Sequence, residues 1–142
     1  MVKCISAADT LVLRSVVLRN NAPLQQCVFP GDELEESFHL GYFAGDRLVS
    51  VATFFPEPYA EKGKGGFRLR GMATNPEFSG KGCGSELIKF AINELRSVNA
   101  SYIWCDARSA AVEFYKKQGF ELISDEFEIP GIGLHFKMIK NI

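Results

Sequence analysis

The chain has 142 residues, 46% of them apolar and 23% charged, with a formal net charge of -1. That length suits one core, with roughly two-thirds of the unfolded surface buried, so a single domain over residues 1–142 is expected. The balanced charge argues against a molecule drawn as a whole to nucleic acid, and charged residues interrupt every apolar run before the ~20 residues that would span a bilayer.

Val2 to Ser6 reads as a strand, and Asp9 as the N-cap of a helix carrying Leu11, Val12, Ser15, Val16 and Arg19 at helical spacing and stopping at Asn20-Asn21. Ala22 to Phe38 holds Pro23, Pro30-Gly31 and the capping residue Asp32, and reads as a loop with room for one short helix. His39 to Ala44 and Arg47 to Phe55, joined by Gly45-Asp46, form a β-hairpin pattern. Pro56 to Gly66 has the composition of a mobile, exposed loop, and Phe67 to Thr74 is a strand stopped by Asn75-Pro76. Leu87, Ile88, Ala91, Ile92, Leu95 and Val98 mark the buried face of a helix from Gly84 to about Asn99. Ser101 to Asp106 is a strand, Ser109 to Gln118 a helix ended by Gly119, and Phe120 to Ile129 pairs with Ile132 to Ile139 around Pro130-Gly131. The order implies an α/β (α+β) fold: one mixed sheet of about six to seven strands flanked by helices, with the strands on either side of the Gly84 helix parallel.

Cys4, Cys27, Cys83 and Cys105 contain no C-x-x-C spacing, and Val2 to Ala8 is short and polar for a signal peptide. A reducing cytoplasm is therefore the expected compartment, and no metal site is expected.

The chemistry concentrates where a strand runs through a glycine-dense turn into a helix, Met72-Ala73-Thr74-Asn75-Pro76-Glu77-Phe78-Ser79-Gly80-Lys81-Gly82-Cys83-Gly84-Ser85. Amides at a helix start have no carbonyl partner within the helix, the helix dipole is positive there, and glycines let a ligand approach the main chain, so the segment suits a phosphate. The P-loop spacing fails because no Lys and Ser/Thr pair follows the last glycine, and the dinucleotide spacing G-x-G-x-x-G fails because the glycines are evenly placed.

Ser79 to Gly84 resembles the Q/R-x-x-G-x-G/A signature of the GCN5-related N-acetyltransferase (GNAT) family, with Ser79 in place of Gln or Arg. Ala107 to Phe120 is similar to that family's N-x-x-A-x-x-F-Y-x-x-x-G-F, with Arg108 in place of Asn. The resemblance implies an acetyl coenzyme A-dependent N-acetyltransferase acting by direct attack. It implies a diphosphate held by Ser79, Gly80, Lys81, Gly82, Cys83, Gly84 and Ser85, a pantetheine arm held by the backbone of Met72, Ala73 and Thr74, and further cofactor contacts from Arg108, Ala111 and Phe114. It makes Tyr115 the general acid for the departing thiolate, against the plainer reading in which Tyr115 packs on Phe114. For the base, Glu57, Asp106, Glu126 and His135 stand unranked beside an ordered water chain, while His135 and His39 read more simply as bonded strand residues. The acceptor is an amine of a small molecule or a peptide, met by the loops Ala22 to Phe38 and Pro56 to Gly66. Dimers are common among similar enzymes, so a homodimer is among the expectations. The competing class is a non-catalytic acyl coenzyme A-binding or sensor module of the same fold, which the substitutions at Ser79 and Arg108 keep open.

Overall fold

A computed structural model describes all residues 1–142. The strands β1 (Val2–Ile5), β2 (Phe38–Ala44), β3 (Arg47–Pro56), β4 (Gly66–Thr74), β5 (Tyr102–Arg108), β6 (Glu121–Leu122), β7 (Phe127–Ile129) and β8 (Gly133–Asn141) form one mixed sheet, ordered β1-β2-β3-β4-β5-β8-β6, with β7 also on β8. The eighth strand arises because the predicted Phe120–Ile129 strand breaks. Ser124 turns inward, its hydroxyl accepting from the Lys137 N–H at 2.8 Å, and two short pieces remain on the β8 edge. No helix is long and apolar enough to cross a membrane.

Helices α2 (Cys83–Ser97) and α3 (Val112–Lys117) cover one face. Leu87, Ile88, Ala91 and Leu95 of α2 pack on Leu40, Phe54, Leu69 and Ile103 of the sheet, and each such side chain contributes about 1.5–3 kcal/mol by leaving water. Val98, read from the periodicity as part of that face, is instead exposed beyond the helix end, where Asn99 takes a left-handed turn.

Helix α1 (Ala7–Leu13) and the π-turn Arg14–Leu18 that continues it cover the other face. The N-cap is Ser6, not Asp9: the Ser6 hydroxyl accepts from the Asp9 N–H at 3.2 Å, and the Asp9 carboxylate accepts from the Ser6 N–H at 3.1 Å, a reciprocal capping box. The buried residues are Thr10, Leu13, Arg14 and Ser15, while Val12 and Val16 are exposed. Of Leu11, Val12, Ser15, Val16 and Arg19, the residues noted at helical spacing, only Ser15 is buried.

Pro56–Gly66 is not loosely attached. Tyr102 Oη donates to the Gly63 carbonyl at 2.6 Å and accepts from the Tyr59 N–H at 2.8 Å, and Trp104 Nε1 donates to the Glu57 carbonyl at 2.8 Å.

Two features of β4 open the sheet. Its parallel pairing with β5 spans only Gly66–Arg68 against Tyr102–Trp104. On its other side, Val51 faces Ala73 and Thr53 faces Arg70, so Gly71 and Met72 together stand against Ala52 as a β-bulge. Gly71 supplies the left-handed φ of +69° that the bulge requires. β4 and β5 therefore part company in mid-sheet.

Candidate active site

A cavity of about 300 Å³ occupies the parting of β4 and β5. Side chains alternate along strands, so its two sides differ in chemistry. Leu69, Met72, Cys105, Ala111, Phe114 and Tyr115 line the side shared with α2 and α3. Arg19, Phe29, Arg70, Asp106, Arg108 and His135 line the side shared with the π-turn.

The glycine turn adjoins the apolar side. Gly82, at φ +84°, is the N-cap of α2, and no side chain caps the first turn. A β-carbon on Gly80 or Gly82 would meet nothing within 4 Å, so the turn is open to a ligand. A β-carbon on Gly84 would lie 3.0 Å from Phe114 Cζ and 3.6 Å from Met72 Sδ, which puts the helix start directly against the cavity wall. The Lys81 ammonium stands 5.2 Å from the Phe78 ring centroid at the rim, Cys83 is buried, and Gln118 Nε2 donates to Ser85 Oγ at 2.7 Å. Ala73 turns its methyl toward Leu13 and Val51, and Thr74 Oγ1 is 2.7 Å from Ser50 Oγ, so only the backbone of these two is offered to the cleft. An open helix start leading into a narrow apolar cleft fits a diphosphate with an extended arm.

Tyr115 is buried at the cavity wall, edge-on to Phe114 and Phe120. Burial, reinforced by neighbouring Cys105, pushes its phenol well above the usual value, so the group stays protonated. His135 is 4% exposed, and its Nδ1 lies 2.8 Å from the Gly133 carbonyl. A carbonyl only accepts, so Nδ1 carries the proton, and Nε2, which has no protein partner, keeps its lone pair in the neutral ring. The other base candidates are engaged or remote. Asp106 is bound by Arg68 at 3.0 Å and Lys137 at 2.8 Å, Glu57 by Arg68 at 3.3 Å, and Glu126 accepts from Ser109 Oγ at 2.8 Å outside the cavity.

Arg108 lines the same cavity as Met72, Ala111 and Phe114. Its strand position turns it to the opposite face, where Nη2 donates to the Leu18 carbonyl at 2.9 Å. Arg19 reaches the same carbonyl at 3.4 Å. Arg70 lies with its guanidinium carbon 4.0 Å from the Phe29 ring centroid. None of Arg19, Arg70 and Arg108 has a carboxylate partner, and the single carboxylate in the cavity lining, Asp106, is taken by Arg68 and Lys137. Arg70 is depressed by burial and then by the charges of Arg68, Arg19 and Arg14, and Arg108 by burial and Arg19. Guanidinium groups stay charged nonetheless, so this side of the cavity holds uncompensated positive charge. Sequence reasoning missed Arg19, Phe29 and Arg70 as cavity residues. The available signal was the alternation Arg68-Leu69-Arg70, which sets both cations on one face of the strand.

The fold is that of an acyltransferase. The chain belongs to the GNAT acetyltransferases: the family model for the acetyltransferase (GNAT) domain matches residues 24–142, and these enzymes use acetyl coenzyme A. The chain is 38% identical to the uncharacterized N-acetyltransferase YitI of Bacillus subtilis (strain 168), over 99% of this chain and 95% of that protein. Among solved structures it superposes on ElaA of Escherichia coli with a TM-score of 0.76 at 17% identity, covering 99% and 98% of the two chains. It superposes on an aminoglycoside 6'-N-acetyltransferase complexed with coenzyme A with a TM-score of 0.75 at 12% identity, covering 99% and 96%. At such identities these two likenesses concern the fold alone.

Proposed function

We propose that the whole chain works as one acetyltransferase domain that moves the acetyl group of acetyl coenzyme A to the amine of a small acceptor carrying an anionic group, a carboxylate or a phosphate, by direct attack. The observation that carries this reading is the trio Arg19, Arg70 and Arg108, three cavity guanidiniums without a carboxylate partner. Crowded positive charge in a partly dry cleft is costly, and an acceptor anion offsets it through charge-assisted, forked hydrogen bonds.

When bound, the coenzyme supplies a thioester carbonyl and a thiolate leaving group. The amides from Ser79 to Ser85 hold its diphosphate with Lys81 at the rim, the free edge of β4 from Met72 to Thr74 holds its arm, and Ala111 and Phe114 wall the arm. His135 Nε2 accepts the proton that the acceptor ammonium must lose, with Nδ1 pinned by Gly133 so that the basic nitrogen stays available. The Met72 N–H donates to the carbonyl oxygen as negative charge gathers there. Tyr115 then donates its phenolic proton to the thiolate. The four cysteines are all free, which supports the cytoplasm as the compartment.

Thiol release measured with matched amines tests the reading. O-phosphoethanolamine and glutamate should be turned over in preference to ethanolamine, and Arg70→Ala or Arg108→Ala should raise the acceptor KM by about tenfold or more while the acetyl coenzyme A KM holds, since each removes a charged hydrogen bond. Equal turnover of ethanolamine and O-phosphoethanolamine would exclude an anionic acceptor. Coenzyme binding without thiol release from any amine would mark the chain as a sensor module.

A further inference from the structure

We propose that Arg14, Asp32 and Phe29 form a positioning device that aims Arg70 into the cavity and thereby sets its anion selectivity. The inference rests on the anionic-acceptor reading above. Arg14 does not line the cavity and is wholly buried. Its guanidinium donates to both carboxylate oxygens of Asp32, at 2.7 and 2.8 Å, to the Cys27 carbonyl at 2.9 Å and to Thr53 Oγ1 at 2.7 Å. Asp32 Oδ2 also accepts from the Phe29 N–H at 2.9 Å, so the carboxylate that neutralises Arg14 fixes the backbone of Phe29. His39 closes the arrangement, with Nδ1 2.8 Å from Thr53 Oγ1 and Nε2 3.0 Å from the Asp32 carbonyl.

The outcome of this locking is one ring. The guanidinium carbon of Arg14 lies 3.9 Å from the Phe29 centroid and that of Arg70 lies 4.0 Å from it, so the fixed buried arginine and the cavity arginine both stack on Phe29. The backbone beside Arg70 rests on the same pair, because a β-carbon on Gly71 would come 2.8 Å from Phe29 Cε2 and 3.1 Å from Arg14 Nε. Arg70 has no hydrogen-bonded or ionic partner of its own to hold it, so the Phe29 face and the bulge are what give it direction. A buried ion pair contributes little net stability compared with well-packed apolar residues, and control of direction is a reason to keep one here.

Calorimetric titration of the full chain with inorganic phosphate tests the device, with acetyl coenzyme A affinity and thermal midpoint measured alongside. The wild type should bind phosphate, and Arg70→Ala should lose it. Phe29→Leu, which keeps an apolar side chain but removes the ring face, should weaken phosphate by about tenfold and leave coenzyme affinity unchanged, while Phe29→Tyr, which keeps the face, should restore wild-type affinity. Asp32→Asn should weaken phosphate similarly. It also strands a buried guanidinium, so Phe29→Leu carries the decision if that variant fails to fold. Phosphate affinity unchanged in Phe29→Leu but lost in Arg70→Ala would reduce the trio to a structural clamp and overturn the inference, with the anionic acceptor intact. No phosphate binding by the wild type, or binding that Arg70→Ala leaves unchanged, would remove the anion site and the inference with it.

Discussion

Arg108 and His135 stand directly opposite each other in the antiparallel register of β5 and β8. If Arg108 holds the acceptor's anion and His135 takes its proton, the charged group and the amine of the acceptor lie only a few bonds apart. If His135 Nε2 takes the ammonium proton, His135→Ala should lower kcat by about 10²-fold or more with acetyl coenzyme A affinity unchanged. The deficit should shrink as pH rises, because more of the acceptor then arrives as free amine. Steady-state thiol release across pH checks this, and an unaltered kcat would take His135 out of the mechanism.

Tyr115→Phe should likewise cost about 10²-fold in kcat without loss of calorimetric affinity for the coenzyme. Burial, with Cys105 adding to it, keeps the phenol protonated beyond its ordinary value of 10.0. Phenol ionisation should therefore cause no decline in kcat up to that pH. A decline below it that vanishes in Tyr115→Phe would contradict the assignment.

What could be read from the sequence was local. The glycine turn, Ala111, Phe114 and Tyr115 sit in two short segments whose spacing alone brings them to a helix start and one helix face. The charged side of the cavity was closed to that kind of reading, because Arg19, Phe29, Arg70, Arg108 and His135 come from five separate segments that meet only after the sheet forms. Arg14 illustrates the same limit. It is paired inside the fold by Asp32, 18 residues away in the chain. His135 was legible as a strand residue and as one of four unranked base candidates, and nothing in the sequence ranked it, since its tautomer depends on the carbonyl of Gly133 two residues earlier.

Gly82→Ala tests the glycine turn. The position is left-handed at φ +84°, and an added β-carbon would strike no neighbour, so any penalty comes from the backbone itself. That penalty is about 1–2 kcal/mol, and relaxation away from it would turn the first amides of α2 off target. Acetyl coenzyme A affinity should fall by about tenfold while phosphate binding among the arginines is retained. Calorimetry with each ligand distinguishes the two sites, and intact coenzyme affinity would argue against a diphosphate at this turn.

Asp32 makes the stability of the fold sensitive to acid. Burial raises its carboxyl pKa, but the hydrogen bonds from Arg14 and the Phe29 N–H, with the charges of Arg14 and His39, outweigh that and hold it below the ordinary 3.8. With the folded value below the unfolded one, its stabilising contribution is complete above about pH 4 and drains away as pH falls through the folded value. Chemical denaturation from pH 6 downward should show wild-type stability declining in that acid window. Asp32→Asn should be less stable at neutral pH by about 3–5 kcal/mol and decline less steeply. Parallel slopes for the two proteins would show that Asp32 is not the responsible group.

Because β4 and β5 release each other after three residues, the middle of the sheet contains an unsatisfied seam that water or an extended chain must complete. Amide hydrogens of Leu69 to Met72 that face the seam should exchange with solvent sooner than those of β3 in the ligand-free protein, and slow sharply once the seam is filled. If the coenzyme arm fills the seam, the last stretch of sheet is assembled at the moment of binding, and occupancy and rigidity of the molecule's centre rise together.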